Sequence, residues 1–128
     1  GAGNYRDESF MTLPEAEGTP YIKGYNDGWP SVAPPGQFTL DGGLVSDILG
    51  NMSEWLLDSY VKDAYALTPL AVQDPVNLDR STPFRALRMT GLSLLDPWVA
   101  MRGGDTLDSW YEDVGFRCAA SPAGVTKP

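Results

Sequence analysis

The residues best suited to chemistry lie close together near the middle of the chain, in the stretch DGGLVSDILGNMSEWLLDSY at 41–60. Two carboxylates, Asp47 and Glu54, flank Gly50 and Asn51 within eight positions. Carboxylate, amide and main-chain oxygens are the hard donors that calcium prefers, in sets of about six to eight. Acidic residues are also common at helix starts, where they favour the positive end of the helix dipole. Spacing alone therefore leaves two interpretations, a cation-binding turn or an ordinary helix start.

The composition narrows the chemistry. The chain has no histidine and a single cysteine, Cys118. The lack of histidine removes serine triads, cysteine–histidine dyads and imidazole-held zinc or iron from this segment. A lone cysteine excludes an internal disulfide and a cysteine-rich metal site. Nine basic and 17 acidic residues give a net charge of −8, which argues against nucleic acid or an anionic membrane as a partner and is compatible with divalent cations.

The elements that must position these residues are expected to be short. With 14 Gly and 11 Pro in 128 residues, the chain should form one domain, or a piece of one, with many turns. Tight turns are expected at NDG (26–28) and APPG (33–36), where Gly takes positive φ and Pro presets φ. A helix is expected to start near 45–47. EWLLDSYV (54–61) suits a short helix or a strand equally well.

The second half of the chain reads as strands separated by loops, with a tail at 122–128 that is expected to fray. The expected strands are FRALRM (84–89), PWVAMR (97–102) and VGFRCAAS (114–121), and the expected loops are 63–83 and 103–113. No apolar run approaches the roughly 20 residues of a membrane span. No signal peptide is visible, so the compartment cannot be read from this segment alone.

Several motifs resemble those of the formylglycine-generating-enzyme (sulfatase-modifying-factor) family. GNMSEWLLDSY, the Asp-Pro loop QDPVN, the strand FRALRMTGLS and DVGFRCA follow the family's C-terminal order, and GNYRD, GYNDGW and APPGQF match its upstream turns. The resemblance extends from Asn4 to Ala120. It implies a C-type-lectin-like α+β fold with a small twisted antiparallel sheet, short helices and much irregular loop. Because family domains are longer, residues 1–121 would be the C-terminal half of one, covered by its upstream half or by a partner chain.

The resemblance also implies structural calcium at two sites. The first would combine the side chains of Asp47 and Glu54 with the main-chain carbonyls of Gly50 and Met52. The second would combine the side chains of Asn4 and Asp27 with the carbonyls of Tyr5 and Trp29. The tripeptide that starts at Asn51 also matches the N-glycosylation pattern, but a residue inside a tight ion-binding turn is poorly accessible.

Catalysis is where the chain departs from the family. The family's oxidases hold copper(I) with two cysteines after the RGGSW-type strand, because soft copper(I) prefers thiolates. The matching stretch RMTGLSLLDPWVAMRGG has no cysteine, so no copper is expected here. Cys118 is the cysteine of GFRCA, which in relatives packs in the core or forms a disulfide with an upstream partner. The chain is predicted to be non-catalytic; the alternative is a copper- or iron-dependent oxidoreductase whose catalytic residues lie outside this segment.

A binding or structural role is the remaining prediction. In the family's fold, loops after the RGGSW-type strand form an exposed face, and aromatic residues beside acids suit protein or glycan recognition. The expected face consists of Leu92, Ser93, Leu94, Asp96, Trp98, Asp105, Asp108, Trp110 and Tyr111. Trp98 suits a core position equally well, and the acidic loop suits a solvated surface. The resemblance also fits a hypervariable ligand-binding protein of retroelements, or a subunit of a bacterial extracytoplasmic assembly, and it implies an extracytoplasmic place (periplasmic, surface-anchored or secreted).

Overall fold

The computed structural model describes residues 3–39, 44–67, 76–92 and 101–119. Four strands form one sheet in the order β3-β2-β1-β4, with bounds β1 Ser53–Ser59, β2 Phe84–Arg88, β3 Arg102–Thr106 and β4 Val114–Gly115. The helical elements are two single-turn 3₁₀ helices at Phe10–Thr12 and Pro14–Ala16, and α1 at Ala64–Leu67. None of the helices in these ranges is long and apolar enough to cross a membrane. The described elements therefore form a small α+β arrangement.

The sheet is mixed, so the prediction of a wholly antiparallel sheet is wrong at one edge. β2 pairs antiparallel with both of its neighbours, and Phe84 lies opposite Thr106 of β3. β4 instead pairs parallel with β1, with Ser53 opposite Val114. A parallel pair needs a long connection, and both β2 and β3 lie between β1 and β4 in sequence. This pairing brings the last described residues beside the start of β1.

The predicted helix start near Val45–Asp47 is wrong. Ser46 forms an isolated bridge with Thr39, and Asp47 has φ 54°, a left-handed value that a right-handed helix does not contain. The segment 54–61, which the sequence left open between helix and strand, lies mostly in β1. The short helix α1 falls within the loop predicted at 63–83.

In the second half of the chain, the strand predicted at 84–89 is confirmed as β2. The loop predicted at 103–113 is wrong in its first part, which belongs to β3. The two glycines, Gly103 and Gly104, hide this strand from a prediction based on sequence. A side chain at Gly104 would overlap the ring of Tyr60, so close packing requires a glycine there. The strand predicted at 114–121 is only the two residues of β4. The strand predicted at 97–102 lies mainly outside the described residues.

The core of the described fold is as polar as it is apolar. Its buried apolar residues are Tyr5, Ala16, Ala33, Phe38, Ala86 and Leu87, and its buried polar residues are Asn4, Asp7, Ser9, Asn51, Ser59 and Thr90. Large apolar side chains lie outside it, such as Leu57, Trp110 and Phe116, which are 74%, 79% and 76% exposed. Hydrogen bonds between loops, more than apolar packing, therefore position the candidate site.

Candidate functional site

Two asparagines join three loops at the centre of the described fold. Asn51 Oδ1 accepts hydrogen bonds from Asn4 Nδ2 at 2.9 Å and from the Ala33 amide at 2.8 Å, while Asn51 Nδ2 donates to the Ala33 carbonyl at 3.1 Å. The Asn51 amide donates to the Asn4 carbonyl at 2.7 Å, and Asn4 Nδ2 also donates to the Ser31 carbonyl at 2.8 Å. Asn4 is fully buried and Asn51 is 8% exposed. The Asn51 amide group is therefore committed to structure, which agrees with discounting it as a glycosylation acceptor.

Two carboxylates organise the loops beside this asparagine pair. Asp27 accepts the amide of Tyr5 at 2.9 Å through Oδ2 and the amide of Trp29 at 2.8 Å through Oδ1. Asp7, which is fully buried, accepts the amide of Ser9 at 2.7 Å and that of Asp27 at 2.5 Å. The Ser9 hydroxyl lies 2.6 Å from Asp7 Oδ1 and 3.3 Å from Asp27 Oδ1. Within the described ranges, no basic side chain forms an ion pair with either acid.

Asn4 Oδ1 is the unsatisfied atom of this site. It is buried and has no hydrogen-bond partner among the described residues, and such an orphaned acceptor costs about 1–3 kcal/mol. Of the second predicted calcium set, the Asp27 carboxylate accepts the main-chain amides of Tyr5 and Trp29, the residues whose carbonyls are the predicted ligands, and Tyr5 follows Asn4 in the chain. An amide oxygen, a carboxylate and neighbouring carbonyls are donors that fit calcium. The unpartnered Asn4 oxygen and the Asp27 carboxylate are therefore donors of the kind that calcium takes, and a site there stays a prediction.

The first predicted calcium set is arranged differently around Asp47. The carboxylate of Asp47 accepts the amide of Phe38 at 2.9 Å through Oδ1 and the amide of Gly36 through Oδ2. The Asp47 amide in turn donates to the Phe38 carbonyl at 2.6 Å. Asp47 thus closes the turn at 33–36, where Gly36 has φ 87° as the APPG motif predicts.

Glu54, in β1, faces a cation that belongs to the chain itself. Arg117 Nε lies 2.8 Å from Glu54 Oε2 and 3.0 Å from Oε1, and Arg117 Nη2 also contacts Oε1. The guanidinium donates further to the carbonyls of Ser46 at 3.0 Å and Asp47 at 3.2 Å. The hydrogen bonds to Glu54 raise the pKa of Arg117 above its ordinary value. These residues, with Gly50's neighbours Asn51 and Met52, line a cavity of about 460 Å³. The donor set at 47–54 therefore fits calcium poorly, although a site there stays a prediction.

The described residues contain no group of three or more His, Cys, Asp and Glu side chains that could hold a metal ion. Both predicted calcium sets have fewer acidic side chains than that. Sequence reasoning missed Asp7 and Arg117 as members of these sites. A signal existed for Asp7, since an aspartate two positions before a serine favours a local side-chain turn, but the sequence carried none for the pairing of Arg117 with Glu54.

The predicted binding face is described only in part. Ser93, Leu94, Asp96 and Trp98 lie outside the described residues. Leu92 is half-buried, and its amide donates to the Asn51 carbonyl at 3.3 Å. The aromatic pair Trp110 and Tyr111 is 79% and 43% exposed. Of this face, the described structure therefore exposes the aromatic pair after β3 and Asp108.

Asp105 closes the loop that carries this aromatic pair. Its Oδ1 accepts the Thr106 amide and the Ser109 hydroxyl, each at 2.7 Å, and its Oδ2 accepts the Tyr111 hydroxyl. These hydrogen bonds, that of Tyr111 foremost, lower the pKa of Asp105, and the same bond raises the pKa of Tyr111. The Asp105 carboxylate thus joins three residues of this loop.

Acid is expected to loosen this loop. Because the folded pKa of Asp105 is depressed, its contribution is present above the ordinary carboxyl pKa of about 3.9 and is lost as pH falls through the folded value. The fluorescence of Trp110 should therefore change below about pH 4, and Asp105→Asn should remove that step. Asp63→Asn, in an exposed turn, is the matched control. An acid step of equal size in Asp105→Asn would contradict this role.

Cys118 is exposed, so its expected packing in the core of the described residues is wrong, while a disulfide with an upstream partner stays a prediction. The side chain of its neighbour Arg117 contacts the segment 46–54, whereas the Cys118 thiol lies at the surface.

Comparison with protein-family models finds no match, and comparisons with curated proteins and with solved structures find none either.

Proposed function

We propose that the chain is a non-catalytic, calcium-stabilised domain of the formylglycine-generating-enzyme type, with a C-type-lectin-like fold, that acts in protein or ligand binding or as a structural subunit. The observation that carries this proposal is Asn4 Oδ1, a buried acceptor with no partner in the described part of the chain. It adjoins a loop in which two carboxylates lie close together without a basic partner among the described residues.

Calcium would be held by Asn4 Oδ1, the Asp27 carboxylate and the carbonyls of Tyr5 and Trp29. When bound, the ion supplies a compact double charge that joins oxygens from separate loops. The residues of the chain prepare that site. Asp7 accepts the Asp27 amide and so holds the 26–29 loop in place. In a fold with few regular elements, such a cross-link would stabilise loops that the sheet does not reach.

A recognition role is supported by the aromatic pair after β3. Trp110 and Tyr111 offer rigid contact area at a low cost in conformational entropy, and the Asp105 hydrogen bonds hold the loop that presents them. Other large apolar side chains, including Leu57 and Phe116, are exposed elsewhere. Such surface is typical of an interface, and the upstream half of the same domain, or a partner chain, is proposed to cover it. An extracytoplasmic location, where weak calcium sites are loaded, belongs to the same proposal.

Thermal unfolding with and without chelator tests the calcium proposal. Saturating calcium should raise the melting temperature of the stripped protein by several degrees, since a ligand at 100 times its dissociation constant adds about 2.7 kcal/mol. Asp27→Asn should remove that response, because it discards the only carboxylate of the set. Asp63→Asn keeps the site and serves as the control. A stripped protein that melts at the same temperature as the calcium-loaded one would defeat the proposal.

A further inference from the structure

The segment 46–54 is held by a cation from within the chain. The side chain of Arg117 is hydrogen-bonded to both carboxylate oxygens of Glu54. Its Nε lies 2.8 Å from Oε2 and 3.0 Å from Oε1. Its terminal nitrogens reach the carbonyls of Ser46 and Asp47 at 3.0 and 3.2 Å. We propose that the Arg117 guanidinium takes the place of a divalent ion in this segment and clamps β4 to it.

The chemistry of the two cations explains why one can replace the other. Calcium would collect carboxylate and carbonyl oxygens, and the guanidinium collects the same kinds of oxygen from Glu54, Ser46 and Asp47. Guanidinium is planar and carries five N–H donors in a fixed fork, which matches a carboxylate side-on and leaves donors for carbonyls. A calcium ion on Glu54 would lie against this positive charge, so the two cations exclude each other.

The second acidic residue of the segment is tied to the turn at 36–38. Both oxygens of Asp47 accept main-chain amides, those of Phe38 and Gly36. Each carboxylate oxygen has a further acceptor site, so these amides alone do not exclude a metal. What opposes a calcium ion here is the positive charge of Arg117, whose Nη2 donates to the Asp47 carbonyl at 3.2 Å.

The position of Arg117 follows from the parallel edge of the sheet. Val114 and Gly115 of β4 lie opposite Ser53 and Glu54 of β1, and the chain continues for two residues to Arg117. A strand of two residues makes few ladder hydrogen bonds, so the guanidinium supplies much of its attachment. The Glu54 side chain is 16% exposed and that of Arg117 is 39% exposed, so the pair is only partly screened by solvent.

This inference goes beyond the proposed function and does not depend on it. The Asn4 and Asp27 donors lie in other loops, and the clamp stands whether or not they bind calcium. The two ideas therefore have separate readouts.

The direct test follows the Nε–H signal of Arg117 in ¹⁵N spectra of the full chain, assigned by its disappearance in Arg117→Lys. Calcium added to millimolar levels should leave this signal in place, because the guanidinium keeps its bonds to Glu54. If calcium shifts or broadens the signal in the wild type and Glu54→Gln removes that effect, the metal has taken the site and the proposal is overturned. Binding at Asn4 and Asp27 would appear instead in the Tyr5 and Trp29 amides.

A stability comparison tests the clamp itself. Arg117→Gln and Glu54→Gln should each raise the unfolding equilibrium constant about threefold to tenfold, and the double variant should add little to either. Arg117→Lys should recover part of the loss, because lysine keeps the charge without the fork. Arg80→Gln removes the same charge from an exposed turn and should leave the constant unchanged. If Arg117→Gln matches Arg80→Gln, the clamp does not exist.

Discussion

Replacing Gly50 with alanine is expected to destabilise the fold by about 3 kcal/mol or more, near the upper end of single-substitution effects. Gly50 is buried and bridges Asn4 in a parallel pair, with φ 75°. A Cβ atom there would overlap the Asn4 carbonyl oxygen and lie 2.8 Å from both the carbonyl carbon and the amide nitrogen of Asn4. The neighbour that must move is main chain, which cannot rotate away, so the bond from the Asn51 amide to the Asn4 carbonyl would be lost as well.

Gly18→Ala separates this clash from ordinary backbone strain. Gly18 has φ 77°, almost the value at Gly50, but nothing lies within 4 Å of an added Cβ. Gly18→Ala should therefore lower the free energy of unfolding only by the cost of a left-handed alanine, about 1–2 kcal/mol. Urea unfolding of both variants at one temperature measures the difference. Equal midpoints in the two variants would show that Gly50 does not approach Asn4 as described.

Asn51→Ala carries the second large expected effect, a loss of about 3 kcal/mol. The side chain closes hydrogen bonds to both main-chain groups of Ala33 and accepts one from Asn4. Alanine would leave these groups buried without that partner, and each buried unsatisfied group costs about 1–3 kcal/mol. The losses are not fully additive because the groups belong to one network. The loop that contains Ala33 should separate from the loop that contains Asn4.

The measurement combines unfolding with hydrogen exchange at the Ala33 amide, which should exchange much faster in Asn51→Ala. Asn77→Ala is the control, since among the described residues its Oδ1 accepts the Asp79 amide at 3.0 Å, in an exposed turn. That change should cost no more than about 1 kcal/mol. Unaltered protection of the Ala33 amide in Asn51→Ala would show that the asparagine pair does not hold the three loops.

Some features of the fold could be read from neighbouring residues alone. The NDG and APPG motifs predict tight turns, and Gly28 and Gly36 have φ 86° and 87°. The strand at 84–88 followed from the alternation of apolar and basic residues. These inferences succeed because positive φ, proline geometry and the two-residue period of a strand depend on a few adjacent residues.

The partners of the polar residues were decided by the tertiary structure. The pairing of Glu54 with Arg117 joins residues 63 positions apart, and it depends on the parallel pairing of β4 with β1, which has no local signal. Asp7 and Asn51 look like turn-formers in the sequence, but burial makes them the centres of a hydrogen-bond network. Whether a buried acceptor such as Asn4 Oδ1 finds a donor depends on every loop that surrounds it. Local preference determined the turns and one strand, and the satisfaction of distant polar groups determined the site, because a hydrogen bond requires two partners and the chain places them far apart.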